Sequence, residues 1–237
     1  SGPAAADSST FADAWAVIEK YRLQNKLPRR LLHHLQQGVN GKVGETVKQG
    51  DPCLHQVHSV IVGNNLLALD AAKKKAEQMG FAAEIIKSDL QGEARDAAKF
   101  LAQTACAKLR NMKNNGCSCL LSGGETTVTV AGSGMGGRNQ ELALAFAVEI
   151  EGQDAVSLLS AGSDGSDGPN DAAGAMVNSR TAARARQLGI EPALYLADND
   201  SYHFFQQFDA RSGEQTQLLT GPSGTNVMDI QIMLLGD

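Results

Sequence analysis

The sequence predicts an α/β fold, with a doubly wound and mostly parallel sheet, flanking helices and an N-terminal helical arm. Two observations predict this class. Short apolar runs alternate with helical segments, and the links between them are short, which is typical of strand–helix–strand units. The chain contains 25 glycines, and aromatic residues make up only 5% of it, so small side chains are available to pack helices against a sheet.

The predicted arm consists of two helices and a linker. Ser9 can cap the first helix, because a serine hydroxyl accepts a hydrogen bond from the first free backbone N–H groups. Pro28 opens the second helix and Gly38 closes it. Residues 38–52 are polar and rich in glycine, without a hydrophobic period, and they indicate a linker.

Strands and helices alternate in the rest of the chain. The periodicity therefore divides the sequence into an arm with its linker, residues 1–50, and an α/β domain, residues 51–237. The predicted strands are HSVIVG at 58–63, FAAEIIK at 81–87, CSCLLS at 117–122, AVSLLSAG at 155–162 and two β-rich runs within 216–235. The predicted helices lie at 64–80, at 92–111 with Ser88 or Asp89 as the cap, at 139–150, at 179–188 and at 200–208.

Charge and composition exclude several functions. The net charge is −5 and there is no long basic run, so we expect no nucleic-acid partner. No apolar run approaches the roughly 20 residues that span a bilayer, so we expect no membrane partner. The N-terminus lacks the pattern of a signal peptide, and we interpret the four cysteines as reduced thiols. These features predict a cytoplasmic protein, with a mitochondrial location left open.

Four loops share one composition of glycine, hydroxyl and acidic residues. Each of them follows a predicted strand or β-rich run, and ligands of open α/β sheets bind beyond the carboxyl ends of strands. We therefore expect the four loops to line one polar cleft. The candidate ligand-binding residues in them are Ser122, Gly123, Gly124, Glu125, Gly132, Gly134, Gly136, Gly137, Asn139, Thr220, Ser223, Thr225 and Asn226.

The loop from Gly132 to Asn139 leads into a predicted helix and contains G-x-G-x-x-G. Free N–H groups at a helix start favour a phosphate or carboxylate, and Arg138 could grip such an anion with two parallel hydrogen bonds. The alternative is a glycine turn with a surface arginine. A dinucleotide fingerprint fits less well, because the preceding TTVTV is not an apolar strand and no acidic residue ends the next strand.

The stretch AGSDGSDGPNDAAGA carries Asp164 and Asp167. Carboxylates at such loops suit Mg²⁺, which proteins usually hold with one or two carboxylates and substrate phosphates. Asp-Gly and Gly-Pro pairs are also ordinary turn formers, so a purely structural role is the alternative. We take both aspartates as candidate metal ligands and Asp164 also as a candidate catalytic residue.

These motifs together resemble a known family. LSGGETTVTVAGSGMGGRNQELALA, AGSDGSDGPNDAAGA, DSYHFF and TGPSGTNVMDI are similar to the glycerate 2-kinases of MOFRL type, also named hydroxypyruvate reductases. The MOFRL-like region covers about residues 117–237. The resemblance implies the C-terminal half of a two-domain kinase, whose missing N-terminal domain carries the family's catalytic lysine and shares the cleft.

The resemblance also implies a reaction. The family transfers a phosphoryl group from ATP to the 2-hydroxyl of D-glycerate with Mg²⁺, and its arginine and aspartate fall on Arg138 and Asp164 as catalytic residues. We expect the chain alone to be nearly inactive. Two alternatives stay open: an NAD(P)H-dependent hydroxypyruvate reductase, and a non-catalytic half that regulates or forms a homodimer.

Overall fold

The computed structural model describes residues 4–112 and 116–236. They form two compact units, the first ending at Val62 and the second beginning at Gly63. The first unit contains helices α1 (Phe11–Lys20) and α2 (Arg29–Val39) and a short 3-10 helix (Pro52–Leu54). The two predicted helices of the arm are therefore present.

The N-terminal cap of α1 and the position of Gly38 in α2 differ slightly from the prediction. Thr10, not Ser9, caps α1, and its side chain exchanges hydrogen bonds with Asp13 in a capping box. Gly38 lies inside the last turn of α2, where a Cβ would collide with the ring of Phe11. The glycine is thus needed because it lets α1 and α2 approach each other closely.

The predicted strand at 58–63 is wrong. Residues 57–64 have no regular secondary structure, and the side chain of Val62 is 93% exposed. An apolar run becomes a strand only when a neighbouring strand takes its backbone hydrogen bonds, and no described strand pairs with this segment.

The second unit contains the sheet. Its helices are α3 (Asn65–Gln78), α4 (Ala94–Asn111), α5 (Arg138–Glu149), α6 (Thr181–Gln187), α7 (Pro192–Ala197) and α8 (Ser201–Ser212). Its strands are β1 (Ala82–Leu90), β2 (Ser118–Gly124), β3 (Val156–Gly162), β4 (Gly174–Asn178), β5 (Gln217–Leu218) and β6 (Asp229–Leu235). Helix α7 and strand β4 were not predicted. Helix α4 is preceded by Glu93, and both of its predicted caps, Ser88 and Asp89, lie inside β1.

The α/β class and the flanking helices are confirmed, but the mostly parallel arrangement is wrong. The strand order is β1-β2-β6-β3-β4-β5, and only β1 and β2 pair in parallel. Strand β6 lies between β2 and β3 and is antiparallel to both. Strands β1, β2 and β3 do point the same way, as helical crossovers require. The prediction failed because β6 is inserted between β2 and β3 without a preceding crossover helix.

The main core lies between the sheet and helices α4, α5 and α8. Helix α5 is buried from Asn139 to Ala147, so it is covered on all sides rather than along one stripe. Phe204 and Phe208 stack in α8 at the edge of this core. On the opposite face, Leu69 of α3 packs near Cys119 and Leu121 of β2. Because the start of α5 is anchored in the core, residues there have fixed positions.

No helix among the described residues is both long enough and apolar enough to cross a membrane. The longest helix, α4, has 18 residues, and it carries lysine and arginine in its last turn and aspartate in its first. Its buried face consists mainly of alanine, which allows close packing against its neighbours.

Replacement of the central core residue Phe146 by alanine should destabilise the second unit strongly. The side chain is completely buried in α5, and a Phe→Ala cavity typically costs about 3–5 kcal/mol. The matched control is Phe100→Ala in α4, whose side chain is 43% exposed and should cost about 1 kcal/mol or less. Urea unfolding followed by far-UV circular dichroism measures both. Equal losses would contradict the described core.

Candidate functional site

Three loops meet where β6 begins. Asp229, the first residue of β6, pairs with Gly124 at the end of β2 and with Gly162 at the end of β3. Because β6 is antiparallel to its neighbours, its N-terminal end lies at their carboxyl edge. The loop before β6 therefore joins the loops that follow β2 and β3, which is the convergence that the sequence predicted for these loops.

Arg138 lies at this edge and forms a bidentate ion pair with Asp229. Its Nε and NH2 groups donate hydrogen bonds to the two carboxylate oxygens at 2.6 and 2.8 Å. The side chain of Asp229 is 1% exposed and that of Arg138 is 27% exposed. The hydrogen bonds that the guanidinium donates to this carboxylate raise the pKa of Arg138 above its ordinary value, so the guanidinium is charged throughout the physiological range.

The same guanidinium also faces outward. Glu125 lies 3.5 Å from its NH2 group, with a largely exposed side chain, and this contact is a weak surface ion pair. The NH1 group of Arg138 donates no hydrogen bond to any residue of the described chain. Arg138 is therefore oriented by Asp229 and retains donors for an anion.

The glycine loop is hydrogen-bonded to the turn at residues 198–200. The N–H groups of Ala131 and Gly132 donate to the side-chain oxygen of Asn199 at 2.8 and 3.0 Å, and the N–H of Gly134 donates to the carbonyl of Asp198 at 2.9 Å. A Cβ at Gly132 or Gly134 would collide with this turn. The prediction that these two amides face an open anion site is wrong, because both glycines are needed for packing.

The last amides of the loop remain available. No described acceptor bonds the N–H groups of Gly136, Gly137 and Arg138. They are at the start of α5, where unpaired N–H groups and the helix dipole together favour an anion. The anion-binding capacity predicted for the whole loop is thus confined to its C-terminal end.

A buried network supports the turn. Asn199 has a positive φ of 54°, and its side-chain amide donates to the buried carboxylate of Glu141 at 3.1 Å. Glu141 pairs in turn with Arg95, whose Nε lies 2.6 Å from Oε1, and Arg95 also donates to the carbonyl of Leu196. This network was not predicted, because its members are far apart in the sequence and none belongs to a recognisable motif.

Asp167 is fully buried and caps helix α5. Its carboxylate accepts the backbone N–H groups of Asn139 and Gln140, both at 2.9 Å, and the side-chain amides of both residues. Burial raises the pKa of Asp167, and these four hydrogen bonds oppose that effect. Because the carboxylate is saturated, it has no position left for the metal that the sequence predicted there.

Several other predicted ligand-binding residues are structural. The hydroxyl of Ser122 is buried and donates to Gln231 at 2.9 Å. The side chain of Asn139 is buried between Asp167 and Ser160. A Cβ at Gly123 or Gly124 would collide with Asn65 or Leu90. These residues shape the edge of the sheet and present no side chain to a ligand.

Asp164 occupies the accessible part of the edge. Its carboxylate is half-buried and accepts the N–H of Ser166 at 3.1 Å and the side-chain amide of Asn226 at 2.9 Å. A Cβ placed on Gly162 would lie 3.1 Å from Oδ1 of Asp164 and 3.7 Å from Oδ1 of Asp229. Asp164 and the Arg138–Asp229 pair therefore lie on the same side of the molecule and close to Gly162.

The loop at residues 220–226 closes against the loop that carries Asp164. The hydroxyl of Ser223 donates to the carbonyl of Ser163 at 2.6 Å, and the N–H of Ser223 donates to the carbonyl of Asp164 at 2.9 Å. Thr220 and Thr225 bond only within their own loop. Asn226 is thus the residue of this loop that directly orients the Asp164 side chain.

The most important residue that the sequence reasoning missed is Asp229. Asn65 at the start of α3 donates to the carbonyls of Val227 and Asp229 at 2.8 and 2.9 Å, and Met228 between them has a φ of 68°. Asn65 thereby holds a backbone conformation that is unusual for a residue other than glycine. The available signal was an aspartate at the head of the apolar run IQIMLL, where a buried charge requires a partner.

A cavity of about 770 Å³ opens beside Arg138. It lies between the segment at 125–130, the start of α5 and the residues Gly168 and Pro169. No group of three or more His, Cys, Asp or Glu side chains within residues 4–112 and 116–236 is arranged to hold a metal ion. The site therefore combines one oriented arginine, three free amides, one accessible aspartate and a large cavity.

Comparisons with known proteins identify relatives of this chain. The MOFRL family model matches residues 118–229, and a domain of unknown function, DUF4147, matches residues 1–36. The D-glycerate 2-kinase of Thermotoga maritima is 42% identical over 99% of this chain and 52% of its own length. The glycerate 2-kinase of Pyrococcus horikoshii is 34% identical with the same coverage.

This chain belongs to the glycerate 2-kinase family. The crystal structure of glycerate kinase from Thermotoga maritima superposes with a TM-score of 0.77 at 41% identity, and the match covers 97% of this chain and 51% of that one. The chain spans about half the length of the curated relatives that it matches, and it matches their C-terminal half.

Removal of the charge of Asp229 should destabilise the second unit. Asp229→Asn leaves the Arg138 guanidinium without its buried counter-charge, and loss of one partner of such a pair typically costs about 3 kcal/mol. We expect about 2–3 kcal/mol, because the Arg138 side chain remains 27% exposed. Urea unfolding measures the loss.

Glu125→Gln is the matched control for this prediction. It removes the other carboxylate near Arg138, but that contact is exposed and 3.5 Å long, so the cost should stay below about 0.5 kcal/mol. If the two variants lose the same stability, Asp229 is not the residue that anchors Arg138.

Proposed function

We propose that this chain is the C-terminal half of a glycerate 2-kinase, which transfers the γ-phosphoryl group of ATP to the 2-hydroxyl of D-glycerate. The observation that carries the proposal is the Arg138–Asp229 pair at the start of α5, next to Asp164. The names of the relatives supply the substrate class. The N-terminal half of those relatives is expected to complete the cleft.

Phosphoryl transfer depends mainly on positioning and charge stabilisation, since little covalent chemistry is left to the protein. Arg138 is suited to neutralise the charge that spreads over the transferring oxygens, because Asp229 fixes its orientation before the substrate binds. The free amides of Gly136, Gly137 and Arg138 add donors that need no reorganisation. The fixed direction of these groups follows from the burial of α5.

Asp164 is suited to bind or orient the acceptor hydroxyl. Its carboxylate accepts a hydrogen bond from Asn226 and remains partly accessible, so one further oxygen lone pair is available for a hydroxyl or a cation. The lysine that the family resemblance assigns to the missing half would act from the other side of the cleft.

Mg²⁺ fits the site as a partner of the nucleotide rather than as a resident ion. Mg²⁺ is usually held by one or two carboxylates together with substrate phosphates, and Asp164 is the accessible carboxylate at this edge, whereas Asp167 is saturated. When bound, Mg²⁺ would supply positive charge to the phosphate oxygens. The carboxylate oxygens of Asp164 are the atoms of this chain that would hold the ion.

The reductase alternative is not favoured by the geometry. In a dinucleotide fingerprint the glycines form a tight turn directly between a strand and a helix, whereas here residues 125–137 separate β2 from α5. The first two glycines of G-x-G-x-x-G pack on the turn at 198–200. The motif therefore has a packing explanation that requires no nicotinamide cofactor.

The chain should require its missing half for activity. We expect no ADP release above background when the 237-residue chain is given ATP, Mg²⁺ and D-glycerate, because half of the cleft is absent. Activity should appear when the N-terminal half of the Thermotoga maritima relative is fused to it. A coupled assay of ADP release measures both. Full turnover by the chain alone would contradict a shared cleft.

Within the complemented enzyme, Arg138→Lys should lower turnover about 100- to 1,000-fold, the range found when one transition-state donor is lost. A lysine keeps the charge but cannot make the planar bidentate contact with Asp229. Arg186→Lys is the matched control, because Arg186 forms ion pairs with Glu151 and Glu191 at the surface. Normal turnover in Arg138→Lys would refute the role assigned to Arg138.

A further inference from the structure

We propose that the 770 Å³ cavity beside Arg138 is the subsite for the adenosine part of the nucleotide. The inference rests on the proposed function and adds to it, because it places the nucleoside in this half of the enzyme. Its walls include Thr126, Val130 and Arg138.

The size and the walls of the cavity distinguish between the two substrates. Sites for drug-sized ligands typically have volumes of about 300–1,000 Å³ and mostly apolar walls, and a cavity of about 770 Å³ is far larger than a three-carbon acid needs. Val128, Val130, Met135 and Pro169 contribute apolar surface. Such a surface suits the faces of a purine, whereas glycerate is polar on every carbon.

One end of the cavity carries hydrogen-bond donors that suit a phosphate. The free N–H groups of Gly136, Gly137 and Arg138 are at the start of α5, a helix of 12 residues. Asp167 already accepts the N–H groups of Asn139 and Gln140, so the three amides before them are the donors of this helix start that remain for a phosphate. Arg138 lines the same end, so a nucleotide with its base against the apolar wall would direct its phosphates toward Arg138.

A buried hydroxyl in the wall supplies an independent observation. Thr126 is 3% exposed and lines the cavity, and its Oγ1 has no hydrogen-bond partner among the described residues. Buried polar atoms in native structures are nearly always paired. A hydroxyl can both donate and accept. The Oγ1 atom is closed off from solvent in the free chain, so rotation of the Thr126 side chain would bring it to a ribose hydroxyl or a ring nitrogen of the base.

Two carboxylates lie in the wall of the cavity. Glu141 is buried and has its counter-charge in Arg95. Glu125 is exposed and makes only a weak contact with Arg138, so its side chain can turn into solvent, away from a bound phosphate. Arg138 lines the cavity and binds Asp229, whose carboxylate lies near Gly162 and Asp164. In the proposed arrangement the nucleotide occupies the cavity and the acid binds toward Asp164.

Isothermal titration of the 237-residue chain with ADP and, separately, adenosine tests the proposal. The blocking variant is Val130→Trp and its control is Leu194→Trp. Both native side chains are 69% exposed, so both substitutions should be tolerated, but only Val130 lines the cavity. We expect Val130→Trp to weaken binding of both ligands at least tenfold and Leu194→Trp to leave it unchanged.

A second pair of variants tests the hydroxyl. Thr126→Val removes Oγ1 and conserves shape, and it should weaken adenosine binding roughly three- to tenfold, as expected for one lost hydrogen bond. The control Thr104→Val removes a hydroxyl on α4 that donates to the carbonyl of Phe100 at 2.8 Å. It should leave the affinity for adenosine unchanged.

The outcomes that overturn the proposal are definite. Absence of ADP binding at millimolar concentration, or unchanged affinity in Val130→Trp, shows that the nucleoside does not occupy this cavity. Weaker binding of D-glycerate in Val130→Trp, with adenosine unaffected, assigns the cavity to the acid instead. If the chain binds the nucleotide but the complemented enzyme transfers no phosphoryl group, the proposed function is refuted. The assignment of the nucleoside subsite is not affected by that result.

Discussion

The position of strand β6 is the constraint on which the candidate site depends. It runs antiparallel between β2 and β3, so its first residue arrives at the edge where those two strands end. Asp229 is buried there, and a buried carboxylate is costly unless it is paired and hydrogen-bonded. Arg138 supplies both the charge and the two hydrogen bonds. The same interaction that satisfies Asp229 therefore orients the guanidinium, and fold stability and the geometry of the site are linked through one ion pair.

Most glycines of the site serve close packing rather than ligand contact. The loop at 131–135 lies on the turn at 198–200, and acceptors of that turn take its N–H groups. Asn199 is held in turn by Glu141 and Arg95. A loop supported in this way loses little conformational entropy when a ligand binds. Its open donors are those nearest to Arg138, where charge stabilisation is needed.

The proposed arrangement assigns one role to each side of Arg138. The large cavity, with apolar walls and the buried hydroxyl of Thr126, lies on the side of the glycine loop. The accessible carboxylate of Asp164 lies on the side of Gly162 and the loop at 220–226. A phosphoryl group in transit between the two would pass Arg138, the guanidinium that Asp229 orients at this edge. The N-terminal half of the relatives would close the space above these groups and exclude water.

The amino-acid sequence by itself determined the α/β class and most helices and strands, and it singled out Arg138 and Asp164 as candidate site residues, because hydrophobic period, helix caps and glycine loops are local features. Family resemblance came from the same local motifs. Only the tertiary structure decided that β6 enters between β2 and β3, that Asp229 binds Arg138, that Asp167 caps α5 and that the amides of Gly132 and Gly134 are occupied. Each of these depends on contacts between residues distant in the chain. Whether a backbone N–H or a side chain packs inside the protein or stays available to a ligand depends on which acceptor the fold brings within hydrogen-bonding distance.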